Sequence, residues 1–566
     1  MRNHTVTWLW RTPGRKKGYV AALTAVQVLI GIGGVVYALL TRNVINSAVD
    51  QNSGAFWHYA VLLILLTAVQ ILLNVINRWL TERSKASLEN LFKQQLTEAI
   101  LRKEYAEVSA VHSGEWMNRL TNDTRIVAEN YTELIPGLSG MGVRLVAAIA
   151  MLIVLDSHFA AILLPGGAAM IALAFLLRRA LKRLHTRMQE SDGRLRIFLQ
   201  ECIGNLMIVK SYTAEEQAEH EAGNRMHAHL RERMRKNHLS NLCTTGLAVA
   251  INAMYVYGII YCARGIAAGS VSYGTLTAVM QLIAQIQGPI SGISGYLPRW
   301  FAMLASAERL MEAEQLADEQ TEERISPAQI RDYYNDRFRS LCLRDVCFSY
   351  AGEDRQEILK NLTLEIPKGE TVAFCGHSGC GKSTVLKLLL GMYPPDSGEI
   401  TVDGQPLTAG WRGLFAYVPQ GNALLHGTIR DIVSFADPAH AGDEERLGRA
   451  LRTACAEEFV SGLEQGADTE LGERGAGLSE GQMQRLAIAR AIFSGRPVLL
   501  LDESTSALDA ETEEQLLKNL RGLADRTVII VTHRPAALAI CDRVLRFSEK
   551  GAAEVRGGRG GREKGQ

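Results

Sequence analysis

No charge of one sign dominates this chain: 61 lysines and arginines stand against 60 aspartates and glutamates, a formal net charge of +1. No strong global field therefore selects a nucleic-acid partner. The nine cysteines have no pairing rhythm. Cys375 and Cys380 sit close together, while Cys202, Cys243, Cys262, Cys342, Cys347, Cys455 and Cys541 stand apart. No CxxC and no Cys/His cluster occurs, which excludes a zinc site or a disulfide framework and leaves reduced thiols as the reading. A cleavable leader is not expected either: the first apolar run is too long for a signal h-region, and no convincing small-residue cleavage site follows it. At 566 residues, the length excludes one compact core and allows two or three domains.

What is present is unevenly distributed. Apolar runs crowd the first half: Tyr19–Leu40, Phe56–Ile76, Leu134–Leu155, Phe159–Leu177, Cys243–Cys262 and Tyr273–Leu297. As a helix, the first of these would reach roughly 33 Å, about the thickness of a bilayer core. Six spans put both chain ends on one side. The long connections Arg78–Glu133 and Arg178–Leu242 are rich in Lys and Arg, whereas Thr41–Ala55, Asp156–His158 and Ala263–Ser272 are nearly free of them. The excess of positive charge places the long connections, the termini and the C-terminal domain in the cytoplasm, and the membrane expected is a bacterial plasma (inner) membrane. Residues 1–18 carry Arg2, Arg11, Arg15, Lys16 and Lys17 around Trp8 and Trp10, which predicts an amphipathic helix at the membrane surface. The boundaries expected are 1–18 for this segment, 19–311 for the membrane domain, 312–337 for a charged linker, 338–550 for a second domain, and 551–566 for a Gly/Arg-rich tail without a core.

The second domain holds the chemistry. Thr371–Cys375 (TVAFC) reads as a buried strand, Gly376–Ser383 (GHSGCGKS) as a glycine-rich loop, and Thr384 onward as a helix. A strand, GxxxxGK[ST] and helix in that order make a phosphate-binding loop. Gly376, Gly379 and Gly381 let the backbone of the loop, which also includes His377, Ser378 and Cys380, turn its N–H groups toward phosphate. Lys382 supplies a point charge to the terminal phosphates, and the Ser383 hydroxyl is a ligand for Mg2+. Val498–Leu501 is a continuous apolar strand ending in Asp502, a second Mg2+ ligand, and Glu503, a carboxylate able to polarise water.

Between the two lies Leu478–Gln482 (LSEGQ). The ordered trio resembles the nucleotide-binding domain of ABC transporters. The resemblance implies that two such domains sandwich ATP, with Ser479, Gly481 and Gln482 of one copy meeting the nucleotide bound by the other. It implies further roles by position: Tyr350 stacks on adenine, Gln420 (YVPQ) senses Mg2+ and water, Ser506–Asp509 (SALD) crosses the dimer interface, and His533 contacts the terminal phosphate. Lys382, Gln420, Glu503 and His533 form the catalytic set, and Thr384 completes the loop. LSEGQ departs from the commonest form, LSGGQ, at Glu480, which must point away from the phosphate. Thr469–Gly475 (TELGERG) resembles a motif of exporter-fold ATPase domains.

The first half fits the same family. Two long cytoplasmic helix pairs, broken near 108–116 and 210–215, resemble the intracellular extensions of exporter-fold (type IV) ABC transporters. Arg119–Asp123 (RLTND) and Gln200–Lys210 also look like family sequence. The implied architecture is a six-helix membrane domain fused to an α/β ABC ATPase domain. The implied function is ATP-driven export of an amphipathic small molecule, lipid or peptide by a dimer of halves, a homodimer favoured. An exporter-fold importer of a metal chelate such as a siderophore, and an ATP-gated channel or regulatory ATPase, share these motifs. A soluble ABC protein acting on nucleic acid is contradicted by the spans.

Polar residues in the spans mark a cargo pathway or helix packing. Gln281 and Gln285 share a helical face, Gln70 and Asn74 another, and Asn252 lies in the fifth span. Arg144 lies about halfway along the third span, at a cost of about 2.5–3.5 kcal/mol without water or a partner. It either faces an aqueous cavity suited to anionic cargo or snorkels to the headgroups. Pro165–Gly167 is read as a break in the fourth span, either hinge or static notch.

Overall fold

A computed structural model describes residues 2–292, 295–319, 325–350, 357–421, 424–472, 477–523, 526–548 and 551–555, with the backbone alone over most of 158–179. The chain forms two compact units, one of Met1–Ala99 with Gly114–Gln315 and one of Ile100–Ser113 with Leu316–Gln566.

The first unit is helical: α1 (Arg2–Arg11), α2 (Lys17–Val49) and α3 (Ser53–Arg102), then, beyond the short α4 (Tyr105–Ala110), α5 (Ser113–Asn118), α6 (Thr124–Leu155), α7 (Ser157–Gly204), α8 (Leu206–Ser211), α9 (Glu215–Ala267), α10 (Tyr273–Gly292) and α11 (Tyr296–Gln315). Among the described residues, four helical stretches are long and apolar enough to cross a membrane: Gly14–Val49, Ser53–Arg102, Ser113–Leu155 and Glu215–Ala267. The expected fourth span falls largely where side chains are not described. The helix backbone nonetheless runs unbroken through Pro165, so the PGG sequence does not end α7. Of the expected sixth span, α10 runs to Gly292 through its internal Pro289, and residues 293–294 lie outside the described residues.

Small residues bring α2 against α6. A Cβ added at Gly31 would lie 3.2 Å from the Gly140 carbonyl, and one at Gly140 would lie 2.9 Å from Gln27. Such close approach is the usual basis of helix association in lipid. At the N-terminus, Trp8 stacks on Phe92 with centroids 5.8 Å apart, and its indole donates to Glu314 at 2.8 Å. Trp10, two positions on and hence on the opposite side of the helix, stays exposed. Thus α1 packs on protein by one face and presents Trp10 on the other.

The end of this unit where α6 meets α11 is pinned by a buried charge. Asp123 closes the π-helical turn Arg119–Asp123 and is fully buried. Arg309 of α11 grips it with two bonds of 2.7 and 2.5 Å, and Ser306 adds a third at 2.8 Å. Arg119 reaches back to the Arg309 carbonyl at 3.0 Å and pairs with Glu115 at 2.6 Å.

The second unit adds α12 (Pro327–Asp336), α13 (Lys382–Leu389), α14 (Ile429–Ser434), α15 (Glu444–Thr453), α16 (Glu457–Ser461), α17 (Glu480–Phe493), α18 (Ala510–Arg521) and α19 (Pro535–Ile540). Its strands are β1 (Ser340–Ser349), β2 (Glu357–Pro367), β3 (Thr371–Cys375), β4 (Ser397–Val402), β5 (Gln405–Pro406), β6 (Phe415–Val418), β7 (Gly427–Thr428), β8 (Glu470–Leu471), β9 (Val498–Asp502), β10 (Thr527–Val531), β11 (Arg543–Ser548) and β12 (Gly551–Val555). The main sheet has the order β12-β11-β3-β10-β9-β6, and an antiparallel sheet has the order β2-β1-β4-β5.

The apolar runs in β3, β9 and β10 follow from burial on both faces. Ala373, Leu499, Leu501, Val528 and Ile530 join one core, while Val372, Phe374, Val498, Leu500, Ile529 and Val531 join another. Alternate residues of one strand thus serve opposite layers. The parallel register pairs Val531 with both Phe374 and Asp502, and Leu501 with Val418. Loops leaving β3, β10, β9 and β6 therefore emerge along one edge, where ligands of open parallel sheets bind.

Replacing Arg309 with alanine should leave Asp123 buried without its cation and cost about 3–5 kcal/mol. Thermal unfolding of the reconstituted protein should show that loss, with Arg309→Lys, which keeps charge but not the fork, falling between.

Candidate nucleotide site

The loop after β3 has an imposed shape. Gly376, Gly379 and Gly381 have φ of +144°, +84° and +94°. Besides the backbone angle, a Cβ at Gly376 would meet the Phe547 carbonyl oxygen at 2.5 Å and one at Gly381 would meet Leu359 at 2.5 Å. Gly381 leads directly into α13, whose N-terminal N–H groups face the loop. Lys382 is buried, and its ammonium donates to the Gly376 and His377 carbonyls at 2.9 Å each, 3.6 Å from Cys380 Sγ. His377, Ser378 and Gly379 form the exposed crest.

The ends of β9 and β6 complete the arrangement. Ser383 Oγ donates to Asp502 Oδ1 at 2.9 Å, and the Tyr417 hydroxyl donates to Asp502 Oδ2 at 3.4 Å. Burial raises the Asp502 carboxyl above the usual range, the two hydroxyls opposing it. Burial likewise pushes the Tyr417 phenol well up, so it stays a donor. Gln420 Nε2 donates to Glu503 Oε2 at 2.7 Å. Glu503 itself has φ +47°, and its N–H is fixed to the Val531 carbonyl at 3.1 Å. A non-glycine residue held there costs of order 1–3 kcal/mol and concentrates at functional sites. Hence Ser383, Asp502, Glu503 and Gln420, which the sequence scatters over three loops, form one connected set. Ser383 Oγ and the Asp502 carboxylate are hard oxygen donors that fit Mg2+.

Tyr350 stands at the start of α13, its hydroxyl 3.3 Å from Thr384 Oγ1 and its ring 5.6 Å from Lys387 Nζ. Its ring meets Phe348 and Tyr393 edge-on, with centroids at 5.0 and 5.3 Å.

LSEGQ opens a helix. Ser479 caps α17, accepting from Gln482 N at 3.3 Å while Gln482 Oε1 accepts from Ser479 N at 2.8 Å. This capping box starts the helix at Glu480. Glu480 is exposed in the first turn, where a carboxylate suits the helix dipole. Gly481 faces Ala507, whose carbonyl would lie 2.8 Å from an added Cβ. Of TELGERG, Thr469–Gly472 are described, with Glu470–Leu471 in β8, while Glu473, Arg474 and Gly475 lie outside the described residues.

Sequence reasoning missed the residues that hold the SALD loop. Buried Gln484 donates to Ser506 Oγ at 3.0 Å and accepts from Ala507 N at 3.1 Å. Arg534, adjacent to exposed His533, donates to the Leu508 and Ser506 carbonyls at 3.0 and 2.8 Å and to Glu513 at 2.8 Å. Buried Glu513 also accepts from Thr505 at 2.8 Å. LSEGQ, SALD and the histidine turn are thereby one bonded unit.

In the helical unit, Gln285 Nε2 donates to the Gly34 carbonyl at 2.7 Å, so this amide holds α10 to α2. Gln281 Oε1 and Gln285 Oε1 are buried without a hydrogen-bond partner among the described residues. Asn252 is exposed and bonded to its own helix through Ala248 O at 2.8 Å. Arg144 is half-buried on α6, with no ion-pair partner among the described residues. These four polar residues are not drawn into one cluster by hydrogen bonds among the described residues.

Comparison with known proteins agrees with both units. Residues 20–290 match the ABC transporter transmembrane region, and residues 359–506 match the ABC transporter family. The chain is 30% identical over 450 residues to a multidrug resistance ABC transporter ATP-binding and permease protein of Lactococcus lactis, covering 78% of this chain and 74% of that one. It is 29% identical to an ATP-dependent lipid A-core flippase of Mannheimia succiniciproducens over 76% of this chain and 74% of the relative. A solved bacterial Atm1-family ABC exporter with ATP bound shares the fold at a TM-score of 0.76, with 22% identity and 94% of each chain covered.

Replacing Arg534 with alanine should strand the Glu513 carboxylate and lower stability by about 3 kcal/mol. Chemical unfolding followed by tryptophan fluorescence should register it.

Proposed function

The chain belongs to the ABC transporter family as an exporter-fold half-transporter, and on that footing we propose how its residues work and what it carries. It is an ATP-driven multi-pass membrane transporter whose ATP hydrolysis is coupled to export. A half-transporter requires a second half, and the proposal is a homodimer, because Glu503, His533 and LSEGQ are all present in one chain. ATP lies between the Gly376–Ser383 loop of one copy and the Ser479–Gln482 turn of the other. Lys382 and the loop N–H groups hold the phosphates, and Tyr350 stacks on the base. Ser383 and Asp502, with Gln420 near, would hold Mg2+, which would supply charge neutralisation at the phosphates. Glu503, kept beside Gln420, polarises water, and His533 contacts the terminal phosphate. The observation that carries this reading is the Ser383–Asp502 and Gln420–Glu503 pairing at 2.9 and 2.7 Å.

The breaks containing His112 and Tyr212 transmit closure of the ATPase dimer to the helices, which open outward, release cargo and reset after hydrolysis. Both termini are cytoplasmic, in a bacterial plasma membrane. The cargo is an amphipathic small molecule, lipid or peptide; the named relatives that act on drugs and on lipid A support that class. Arg144 and the amides of Gln281, Gln285 and Asn252 contribute to its path.

Glu503→Gln should lower steady-state ATPase by about 10²–10⁴-fold while ATP binding persists, and ATP-driven uptake of a fluorescent amphiphile into inside-out vesicles should stop with it. Persistent transport without turnover would defeat the coupling. Arg144→Ala should reduce the stimulation of ATPase by an anionic amphiphile and leave basal turnover intact. Equal stimulation in the variant would remove Arg144 from the path.

A further inference from the structure

The first intracellular break belongs to the ATPase unit, since Ile100–Ser113 groups with Leu316–Gln566. Within that unit α4 is held from two sides. On one side a strap of backbone and charge fixes it. Glu104 N donates to Ala317 O at 3.0 Å, Ala317 N to Glu107 Oε2 at 2.6 Å, and Lys103 Nζ to Leu316 O at 2.6 Å. Glu319 N donates to Arg102 O at 2.9 Å. The Glu319 carboxylate takes Arg412 in a two-bond grip of 2.6 and 3.1 Å. Arg412 also donates to the Leu390 and Gly391 carbonyls at 3.0 and 3.1 Å, just past the end of α13.

On the other side stand rings. Tyr105 of α4 meets Tyr393 edge-on, with centroids 5.7 Å apart and planes at 90°. Tyr393 meets Tyr350 in the same way at 5.3 Å and 89°, and Phe348 closes the group at 5.6 Å from Tyr393. The Ser109 and Tyr393 hydroxyls lie 3.1 Å apart, which fixes the Tyr393 ring to α4 at its polar end as well. Edge-to-face contacts are directional, so a shift of α4 re-aims Tyr393, and Tyr393 re-aims the Tyr350 ring.

We propose that Tyr393 is a positioning residue through which α4 sets the Tyr350 ring, making the ATP affinity of this chain's site depend on where α4 sits. The proposal rests on the reading of Tyr350 as the base-stacking aromatic. It deepens that reading by joining the base, rather than the phosphates, to the intracellular break. Tyr393 touches no phosphate-loop residue in the contacts described above, and Tyr350 reaches that loop only through its hydroxyl at Thr384, so the larger part of the effect falls on ligands that carry a base.

The test uses the full chain in nanodiscs with Glu503→Gln to stop turnover. Equilibrium affinities are measured for ATP and for inorganic tripolyphosphate, which has no base. Tyr350→Leu should weaken ATP between about 5- and 150-fold, the range of one aromatic–base stack, and largely spare tripolyphosphate. Tyr393→Leu and Tyr105→Leu should weaken ATP in the same selective way by a smaller factor, and Tyr393→Phe, which keeps the ring, should recover most of the loss. Tyr105→Leu added to Tyr350→Leu should change nothing further. ATP affinity unchanged in Tyr393→Leu and Tyr105→Leu while Tyr350→Leu weakens it overturns the relay alone. So does an equal loss of ATP and tripolyphosphate, which marks a general disturbance of the fold. ATP affinity unchanged in Tyr350→Leu removes the stacking reading and the relay with it.

Discussion

Everything in the ATPase unit depends on the parallel register of β3, β10 and β9 inside a sheet buried on both faces. A slip of one residue would exchange the two cores, moving Phe374 and Val531 into the layer now occupied by Ala373 and Ile530. It would also offset the loops that leave the strand ends. The hydrogen bond from Glu503 N to Val531 O shows how closely that edge is tied: the Glu503 backbone is fixed by the neighbouring strand. The chemistry at this edge is a consequence of sheet packing, since no loop there holds its shape alone.

The site's parts were readable in the sequence where they lie in continuous stretches. The glycine loop needs positive φ at fixed spacings, and Asp502–Glu503 must follow a fully apolar strand, so composition and order disclosed both. Tyr417, Gln484 and Arg534 were not legible, because each acts on a partner distant in sequence and none belongs to a distinctive local pattern. The break in the first long connection illustrates the same limit. The sequence places it near 108–116, midway along the connection, whereas α3 ends at Arg102. Lys103 and Glu104 there find partners at Leu316 and Ala317, which no local periodicity could announce.

The helical unit was legible as a class and less so in detail. Length and apolarity announce spans, but the amides within them have two outlets, and Gln285 takes one of them by bonding to Gly34. Glycine at that position has two effects at once. It opens space for the amide, and it leaves the carbonyl reachable. The stripe of small residues on α2 and the amides facing it are therefore one feature: replacing either partner alone leaves a clash or an unpaired polar atom.

The left-handed backbone of Glu503 has a consequence for how this protein can vary. Glycine, asparagine and aspartate occupy that region at lower cost, but the first two lack a carboxylate and aspartate holds its own one methylene shorter. On the proposed role of Glu503, a chain with glycine or asparagine at this position would relieve strain and gain stability as it lost turnover. Activity and robustness are opposed at one residue, and a dimer that kept one strained copy beside one relaxed copy would retain a working site while easing half of the load.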